Sequence, residues 1–486
     1  MMVGRILPAV VSGCRNYSSR SSGHGRNWAK NANLQKAAFE ESPPRRAPRT
    51  RIKWTEEQAR VISAISSGRS VFVTGSAGTG KTALVKHAIK LLQKSLGRSK
   101  VFVTASTGIA AYALGGQTLH SFAGIGPPVN DRELLLERVL SDRRAIRRWK
   151  RALALFIDEI SMIDGELFDH LEFIAREVRE SGKSWGGIQL VVCGDFFQLP
   201  PVNKRGYLRL NKEFAFEADC WDSSFGLQVE LTKVFRQSEE RLIKLLQGIR
   251  KGQIDPEDML FLEKSCSLND KLDASVVRLH PRNEDVNYVN EERMSELGKE
   301  RYLFVAEDSG IEQAMRQLRF GLAPDEIFLC EGARVMFVKN VDTSCGLING
   351  ATGTIIGFME DKAGVSSNVC QGGGVLPVVK FDSGQIIVVE PETWCLMEAN
   401  TVVARRRQIP LILAWALSIH KCQGMTLDRA HMDLSRAFGY GMVYVALSRV
   451  RNLTGLYLSG LNPSKIKAHP KVLKFYERIT NQQDTE

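Results

Sequence analysis

Val71-Phe-Val-Thr-Gly-Ser-Ala-Gly-Thr-Gly-Lys-Thr82 is the stretch of sequence that decides the fold. It opens with a short β-rich run, and apolar residues then recur at helical spacing at Leu84, Val85, Ala88, Ile89 and Leu92. A strand, a glycine-rich loop and a helix in this order match the pattern G-x-x-x-x-G-K-[ST]. Glycines let backbone N–H groups curl around a phosphate at a helix N-terminus. The stretch therefore predicts an α/β domain that binds ATP or GTP.

Each residue type in this loop has a predicted task. The Lys81 amine neutralises charge on the β- and γ-phosphates, and the Thr82 hydroxyl can ligate magnesium. The residues predicted to bind the nucleotide are Gly75, Ser76, Ala77, Gly78, Thr79, Gly80, Lys81 and Thr82.

Two adjacent carboxylates follow a second apolar run, residues 153–157. Asp158 and Glu159 would lie at the carboxyl edge of a neighbouring parallel strand, where ligands sit in open α/β sheets. Asp158 is predicted to hold magnesium and Glu159 to polarise the attacking water, so the pair indicates hydrolysis. A solvated acidic turn is the alternative interpretation. A further buried strand, 188–193, leads into Gln198, which could sense a γ-phosphate.

Phosphoryl transfer also needs cations from outside the loop, because charge develops on the transferred group. Arg236 and Arg449 both follow apolar stretches and are the candidates. By spacing alone, a surface arginine is the commoner interpretation of either residue.

Composition and charge set limits on the class of protein. The 486 residues suggest about three domains, and 43% hydrophobic with 25% charged residues excludes collagenous, coiled-coil and mostly disordered chains. The formal charge is +12, but residues 1–53 hold 11 Lys and Arg against two Glu. The remaining chain carries only +3, so overall charge is weak support for nucleic-acid binding. No apolar run reaches the roughly 20 residues of a membrane span, and no membrane partner is expected.

The first fifty residues have the composition of a mitochondrial transit peptide. No acidic residue precedes Glu40, and Arg15-Asn-Tyr-Ser18 resembles a matrix-protease site. A disordered basic arm that touches nucleic acid or directs nuclear import is the alternative. Residues 43–48 are predicted to form an extended linker, with folding starting near Trp54. The nine cysteines show neither a C-x-x-C pair nor zinc spacing, which favours a reducing compartment such as the mitochondrial matrix or the nucleus.

Taken in order, the motifs resemble the petite-integration-frequency (Pif) helicases of superfamily one, which are related to RecD. Residues 164–176 resemble the signature that separates Pif enzymes from other superfamily-one helicases. The resemblance runs from Gln58 to about Gly460, and besides the loop it rests on Trp54-Thr-Glu-Glu-Gln58, Thr104-Ala-Ser-Thr-Gly-Ile-Ala-Ala111, Gly116-Gln-Thr-Leu-His-Ser-Phe122, Ile157-Asp-Glu-Ile-Ser-Met162, Cys193-Gly-Asp-Phe-Phe-Gln-Leu-Pro-Pro201, Leu231-Thr-Lys-Val-Phe-Arg-Gln237, Ser418-Ile-His-Lys-Cys-Gln-Gly-Met-Thr426 and Val443-Tyr-Val-Ala-Leu-Ser-Arg449.

The resemblance implies an α/β fold with two RecA-like P-loop NTPase domains, ATP between them and a small inserted SH3-like β-barrel. The expected domains are a transit peptide and linker (1–53), motor domain 1 (54–230) with a wedge insertion at about 127–151, motor domain 2 (231–345 and 408–462), the barrel (346–407) and a C-terminal tail (463–486).

The family's residue roles are carried over by motif. Gln58 would contact adenine, while Lys81, Glu159, Gln198, Arg236 and Arg449 would be catalytic, with the two arginines reaching across as arginine fingers. Thr82 and Asp158 would hold Mg²⁺. The expected contacts to single-stranded DNA are Thr104, Thr107, His120, Phe122, His420, Lys421 and Thr426.

Two further basic groups are candidates for nucleic-acid contact. Residues 132–151 hold eight Arg and Lys, which indicate either a duplex-facing wedge or a solvated helix face. Arg405-Arg406-Arg407 is predicted to contact the nucleic-acid backbone rather than only solvent.

The resulting expectation is an ATP- and Mg²⁺-dependent 5′–3′ DNA helicase in mitochondrial genome maintenance, serving replication, repair, recombination or telomere maintenance. Its expected partners are single-stranded and forked DNA, with single-strand-binding or replication proteins, and it would act as a monomer. The alternatives are a nucleotide-switched scaffold that does not unwind, and a helicase directed to RNA or hybrids.

Overall fold

The computed structural model describes most of the chain after residue 52. The described residues from 55 onward form one compact unit. The predicted transit peptide, most of the linker and the start of the predicted wedge lie outside the described residues. The residues that the structure describes are 53–125, 131–201, 211–266, 276–319, 323–339, 350–361, 369–371, 374–398 and 401–483.

A six-stranded parallel sheet forms the first lobe. Its spatial order is β3-β2-β4-β5-β1-β6, with every neighbouring pair parallel. Apolar and β-branched side chains dominate these strands because helices cover both faces of a parallel sheet. The strands are β1 (Val71–Gly75), β2 (Val101–Ala105), β3 (Gln117–Thr118), β4 (Ala154–Asp158), β5 (Gln189–Cys193) and β6 (Leu227–Leu231).

Several helices of the first lobe start at residues that cap them. Thr55 and Gln58 form a capping box on α1, and the Asp164 carboxylate accepts the backbone N–H of Leu167 at the start of α7. The helices are α1 (Glu56–Ser66), α2 (Lys81–Leu96), α3 (Gly108–Ala113), α4 (Leu119–Ala123), α5 (Arg132–Ser141), α6 (Arg143–Arg151), α7 (Gly165–Arg179) and α8 (Trp221–Ser224).

A four-stranded parallel sheet forms the second lobe, in the order β19-β7-β20-β21. Its strands are β7 (Val277–His280), β19 (Ala416–Ser418), β20 (Ala430–Asp433) and β21 (Leu456–Ser459). The accompanying helices are α9 (Glu240–Arg250), α10 (Pro256–Cys266), α11 (Asn283–Glu296) and α13 (Met442–Leu447). With two parallel sheets and their helices, the predicted α/β class is confirmed.

Antiparallel strands lie between β7 and β19 in the chain. The largest of their sheets has the order β15-β14-β12-β11-β18 and extends beyond residues 346–407 at both ends. The Arg405–Arg407 run lies on β17, which pairs with β16 and β9 in a separate sheet. The elements are β8 (Tyr302–Val305), β9 (Glu307–Gly310), α12 (Glu312–Arg319), β10 (Glu326–Leu329), β11 (Arg334–Phe337), β12 (Thr352–Glu360), β13 (Cys370–Gln371), β14 (Val375–Phe381), β15 (Ile386–Val388), β16 (Glu392–Glu398), β17 (Thr401–Gln408) and β18 (Leu411–Leu413).

The last helix, α14 (Pro470–Gln483), returns to the first lobe after the second lobe is complete. Phe475 on α14 is buried against first-lobe aromatic rings, including Phe72 of β1 at 6.1 Å and Phe216 at 4.3 Å between centroids. The residues predicted as a C-terminal tail therefore include a helix in the core of the first lobe.

Within the described residues, all cysteines are free thiols, and none of the helices combines the length and apolar character that crossing a membrane requires.

Candidate active site between the two lobes

The glycine-rich loop joins β1 to α2 and forms a cradle of backbone. Gly78 and Gly80 have φ angles of +88° and +84°, a region that favours glycine. A Cβ atom on Gly78 would lie 2.7 Å from the Cβ of Arg236. The Lys81 amine donates to the carbonyl oxygens of Gly75 at 2.6 Å and Ser76 at 2.9 Å, which holds it over the loop. The cradle, the amine and the helix N-terminus together fit the phosphates of a nucleotide.

The acidic pair lies at the same edge of the sheet as the loop, because β4 and β1 are parallel and both flank β5. Glu159 has a φ of +53°, an uncommon conformation for a residue with a side chain. Its backbone N–H donates to Asp158 Oδ1 at 3.0 Å, and its carboxylate accepts Gln423 Nε2 of the second lobe at 2.9 Å. A first-lobe carboxylate is thus held by a second-lobe amide.

Burial raises the pKa of Glu159 to about 7, and the neighbouring Asp158 carboxylate adds to the rise, whereas Lys81 and Arg449 oppose it. Burial also raises the pKa of Asp158. A carboxylate that titrates near neutral pH is well matched to general-base chemistry.

Both predicted finger arginines lie at this site. Arg236 Nη1 donates to the Ser448 carbonyl at 3.0 Å, and Arg449 is 1% exposed. Burial, followed by the nearby Arg449 charge, lowers the pKa of Arg236 to about 9, so it remains protonated at neutral pH. Burial likewise lowers the pKa of Arg449, while Glu159 is among the groups that raise it. Two like charges held close together favour an anion between them.

Arg449 is also held firmly within the second lobe. Its Nε donates to the Val445 carbonyl at 2.8 Å and its Nη2 to Ser448 Oγ at 2.7 Å. These bonds fix the direction of the guanidinium group.

Gln58 and Phe235 lie against the loop at Gly80. Gln58 is buried, and its Nε2 donates to the Thr79 carbonyl at 3.2 Å. The Phe235 ring is 51% exposed and lies 3.6 Å from where a Gly80 Cβ would be. Its backbone N–H donates to the Gly78 carbonyl at 2.8 Å. An exposed ring next to Gln58 offers a face on which a base can stack; sequence reasoning missed it, although it directly precedes Arg236.

Gln198 is buried where the two lobes meet. It is 5% exposed, and its backbone N–H donates to the Asp195 carbonyl at 2.9 Å. Gly441 of the second lobe packs closely against this segment. A Cβ at Gly441 would lie 2.3 Å from the Phe197 carbonyl oxygen and 2.5 Å from the Gln198 carbonyl oxygen. Gly441 itself has a φ of +71°. A movement of either lobe therefore acts directly on the Gln198 segment.

Thr82 and Asp158 suit a hard divalent cation. Mg²⁺ prefers oxygen ligands and is usually held by one or two protein groups together with substrate phosphates. The Thr82 hydroxyl is exposed at the start of α2, and Asp158 is partly buried at the end of β4. The oxygen donors of these two side chains fit magnesium.

Two of the predicted DNA contacts are wrong for the side chains concerned. Thr104 is fully buried, and its hydroxyl donates to the Phe156 carbonyl at 2.6 Å. Phe122 is also fully buried, with its ring centroid 4.8 Å from that of Trp149. Neither side chain reaches the surface, because β2 is an interior strand and α4 packs into the first-lobe core.

The other predicted contacts are at least partly accessible. Thr107 Oγ1 accepts the Ala110 backbone N–H at 3.3 Å at the start of α3, and burial lowers the pKa of His120 and His420. Lys421 is exposed and Thr426 is half-buried. Because Gln423 lies in the same turn as His420 and Lys421, this segment joins a predicted DNA contact to the Glu159 carboxylate.

The two basic groups have mixed positions. In residues 132–151, Arg148 is buried and donates to the carbonyls of Phe122 at 2.7 Å and Ser121 at 2.9 Å, while the other Arg and Lys are exposed. Arg406 is buried in ion pairs with Asp308 and Asp325. Contact with nucleic acid is therefore wrong for Arg406, because its own side chain is buried and two carboxylates already pair with it.

Comparison with known proteins places the chain in a family. The family model "PIF1-like helicase" matches residues 53–259, and "DNA helicase Pif1, 2B domain" matches residues 319–358. The ATP-dependent DNA helicase PIF1 of Xenopus laevis is 41% identical over 432 residues, covering 88% of this chain and 65% of the relative. That of Rattus norvegicus is 38% identical over 466 residues, covering 93% and 70%. The chain thus spans about two thirds of the length of these relatives.

Solved structures agree in fold. Pif1 helicase from Candida albicans is 36% identical with a TM-score of 0.73, covering 88% of this chain and 100% of that one. Bacteroides Pif1 in complex with ADP-AlF3 and ssDNA is 29% identical with a TM-score of 0.62, covering 89% and 98%. A structure that concerns DNA unwinding at forked dsDNA by two coordinating Pif1 helicases is 30% identical with a TM-score of 0.61, covering 89% and 98%. The two lobes, each built on a parallel sheet, are RecA-like domains. The chain belongs to the PIF1-like helicase family.

Proposed function

We propose that the chain is an ATP-dependent DNA helicase that hydrolyses ATP to move along single-stranded DNA and separate duplexes. One observation carries the proposal: Arg236 packs against the loop at Gly78, and Arg449 lies close enough to the Glu159 carboxylate of the first lobe to influence its pKa. A site completed by both lobes couples hydrolysis to their movement. The similarity to ATP-dependent DNA helicases PIF1 and the Bacteroides Pif1 complex with ADP-AlF3 and ssDNA support it.

The residues have separable roles in this proposal. The glycine cradle and Lys81 hold the phosphates, and Thr82 and Asp158 would hold Mg²⁺, which supplies charge neutralisation at the β- and γ-phosphates. Glu159 orients the attacking water and takes up its proton. Arg236 and Arg449 neutralise the charge that develops on the transferred group.

DNA would act on the same site through the second lobe. His420 and Lys421 lie in the same turn as Gln423, which donates to Glu159 at 2.9 Å. A strand bound at this turn would therefore set the position of the general base, so we expect DNA to stimulate hydrolysis.

Strand separation on partial duplexes tests the proposal. We expect ATP-dependent unwinding of a duplex with a 5′ single-stranded overhang and of a fork, and little unwinding with a 3′ overhang. The matched control is Glu159→Gln, which keeps the side-chain volume but removes the base, and should bind DNA without unwinding it. Preference for the 3′ overhang would refute the 5′–3′ direction, and preference for an RNA strand would favour an RNA- or hybrid-directed helicase.

We expect Phe235→Ala to raise the KM for ATP by about 3- to 10-fold, because base stacking on an aromatic ring is worth roughly 0.5–1.5 kcal/mol. The turnover number should change less, since a ring stacked on the base would stabilise bound ATP and the transition state alike. Steady-state ATPase kinetics measure both constants. Phe235→Tyr keeps the ring and should stay near the parent; if it loses as much affinity as alanine, stacking is not the role of Phe235.

We expect kcat/KM for ATP hydrolysis to rise between about pH 6 and 8, because a base with a pKa of about 7 must ionise to act. Gln423→Leu removes a bond that favours the ionised form, so the acid limb should move to higher pH. Gln247→Leu, on the exposed face of α9, is the control. An unchanged midpoint in Gln423→Leu would show that this contact does not tune the base.

We also propose that residues 1–50 direct import into the mitochondrial matrix, and that the enzyme serves genome maintenance there. The support is their basic, acid-poor composition. A fluorescent reporter fused to these residues should enter mitochondria; a nuclear signal would favour the basic-arm interpretation instead.

We propose further that one copy suffices for movement along single-stranded DNA. Because a related structure concerns DNA unwinding at forked dsDNA by two coordinating Pif1 helicases, the stoichiometry needs a direct measurement. Light scattering of complexes with single-stranded and forked DNA should give one copy on the single strand, and two copies there would refute the proposal.

A further inference from the structure

Helix α14 places a tyrosine inside the first lobe, beside the nucleotide loop. Tyr476 is 5% exposed, and its ring stacks on Phe197 with 4.6 Å between centroids. The Arg250 guanidinium lies 4.9 Å from the centre of the Tyr476 ring. The stacking of Tyr476 on Phe197 places α14 next to the segment that carries Gln198.

The Tyr476 hydroxyl makes three polar contacts. It donates to Asp195 Oδ1 at 3.2 Å, accepts the Phe196 backbone N–H at 3.2 Å and shares a hydrogen bond with Thr74 Oγ1. Thr74 directly precedes Gly75 of the loop, and Asp195 and Phe196 directly precede the Gln198 turn. One hydroxyl therefore joins the β1 end of the nucleotide loop to the segment of the predicted γ-phosphate sensor.

Asp195 is the centre of this arrangement. Its carboxylate is fully buried and pairs with Arg250 at 2.9 Å. Although burial alone would raise its pKa, Arg250 and Lys81 hold the pKa of Asp195 below its usual value. Its backbone carbonyl accepts the Gln198 N–H. The position of the ionised Asp195 therefore fixes where the Gln198 turn begins.

A second tyrosine ties Asp195 to the arginine finger. Tyr444 Oη donates to Asp195 Oδ2 at 3.4 Å and accepts the Ala77 backbone N–H of the loop at 2.7 Å. Tyr444 lies on α13, which leads into Arg449. Asp195 thus receives one hydroxyl from α14 and one from the segment that carries the finger.

We propose that Tyr476 is a positioning residue for ATP hydrolysis, which acts through Asp195 on Gln198, so that α14 is a working part of the ATP site. This inference rests on the proposed ATPase function. Gln198 is the predicted γ-phosphate sensor, and ADP has no γ-phosphate. Loss of the Tyr476 hydroxyl should therefore slow hydrolysis of ATP without weakening the binding of ADP.

Tyr476→Phe tests the inference, because it removes the hydroxyl and keeps the stacked ring. We expect the kcat of DNA-stimulated ATP hydrolysis to fall about tenfold, the loss expected for a hydrogen bond to a charged group. The Kd for ADP should stay within about twofold of the parent. Hydrogen exchange at the Phe196 amide should become about tenfold faster, since its acceptor is gone.

Two variants separate positioning from stability. Val472→Ala removes buried methyl groups from the same helix without touching Asp195, and should lower Tm while leaving kcat unchanged at temperatures well below Tm. Tyr457→Phe removes a hydroxyl that accepts from Arg429 in the second lobe and should change neither. The inference is overturned if Tyr476→Phe keeps parental kcat, or if kcat falls in both helix variants in proportion to Tm.

Failure of the inference and failure of the proposed function look different. If the parent hydrolyses ATP and Tyr476→Phe does so equally well, only the inference fails. If the parent itself does not hydrolyse ATP with DNA present, the proposed function fails and the hydrolytic role of Tyr476 with it. In that case, hydrogen exchange at the Phe196 amide still shows whether Tyr476 holds the segment that leads to Gln198.

Discussion

Lys81→Ala is expected to reduce DNA-stimulated ATP turnover by about 10³-fold or more. The Lys81 amine sits over the loop on the carbonyls of Gly75 and Ser76, and its charge is the one that the loop itself brings to the phosphates. Removing a fixed charge at the position where negative charge develops costs roughly 10²–10³ in rate, and Lys81 also supports phosphate binding, so both kcat and nucleotide affinity should fall. Phosphate release in a continuous assay measures turnover.

Lys90→Ala is the matched control, since Lys90 is an exposed lysine further along α2. It should keep turnover within about twofold of the parent, because a surface charge remote from the loop is screened by solvent. Equal turnover in Lys81→Ala and the parent would exclude the loop as the hydrolytic site and would favour the scaffold alternative.

Arg236→Ala is expected to lower kcat by about 10³-fold, within the range of an arginine that stabilises the transferred phosphoryl group. Arg236 is a better test than Arg449, because Arg449 is bonded to the Val445 carbonyl and Ser448 of its own lobe and its removal would also disturb packing. Arg236→Lys keeps the charge but loses the planar fork, and should recover only part of the rate. The Kd for ADP should change much less than kcat.

Arg241→Ala on α9 provides the comparison, since Arg241 packs its guanidinium over the Phe261 ring at 3.3 Å. It should hydrolyse ATP at the parental rate. If Arg236→Ala keeps its kcat and loses only nucleotide affinity, then Arg236 serves in binding and Arg449 alone is left as a finger.

The site's main chemistry was predictable because it follows from local sequence. A strand, a glycine loop and a helix must place Lys81 at a helix N-terminus, and a second parallel strand must bring Asp158 to the same edge. The partners of these groups could not be predicted this way. Phe235, Tyr444 and Tyr476 reach the loop through tertiary packing, and no spacing rule connects residue 74 with residue 476.

The wrong predictions share a physical cause. Motif position predicts that Thr104 and Phe122 contact DNA, but an interior strand buries Thr104 and a core helix buries Phe122. Arg148 and Arg406 are expected among the basic residues that could contact nucleic acid. Instead, the Arg148 guanidinium donates to backbone carbonyls, and the Arg406 guanidinium pairs with two aspartates. A sequence does not reveal whether a charged side chain will be buried and paired, because its partners come from residues far along the chain.

Helix α14 also bears on how the protein is made. The strand β6 leaves the ribosome before residues 232–469, and α14 follows only after them, roughly 10–50 s later at typical rates of synthesis. During that interval the nascent first lobe exposes the aromatic rings that Phe475 later covers. We therefore expect it to be a client of chaperones until α14 has been synthesised, and polypeptides released before Pro470 to be degraded.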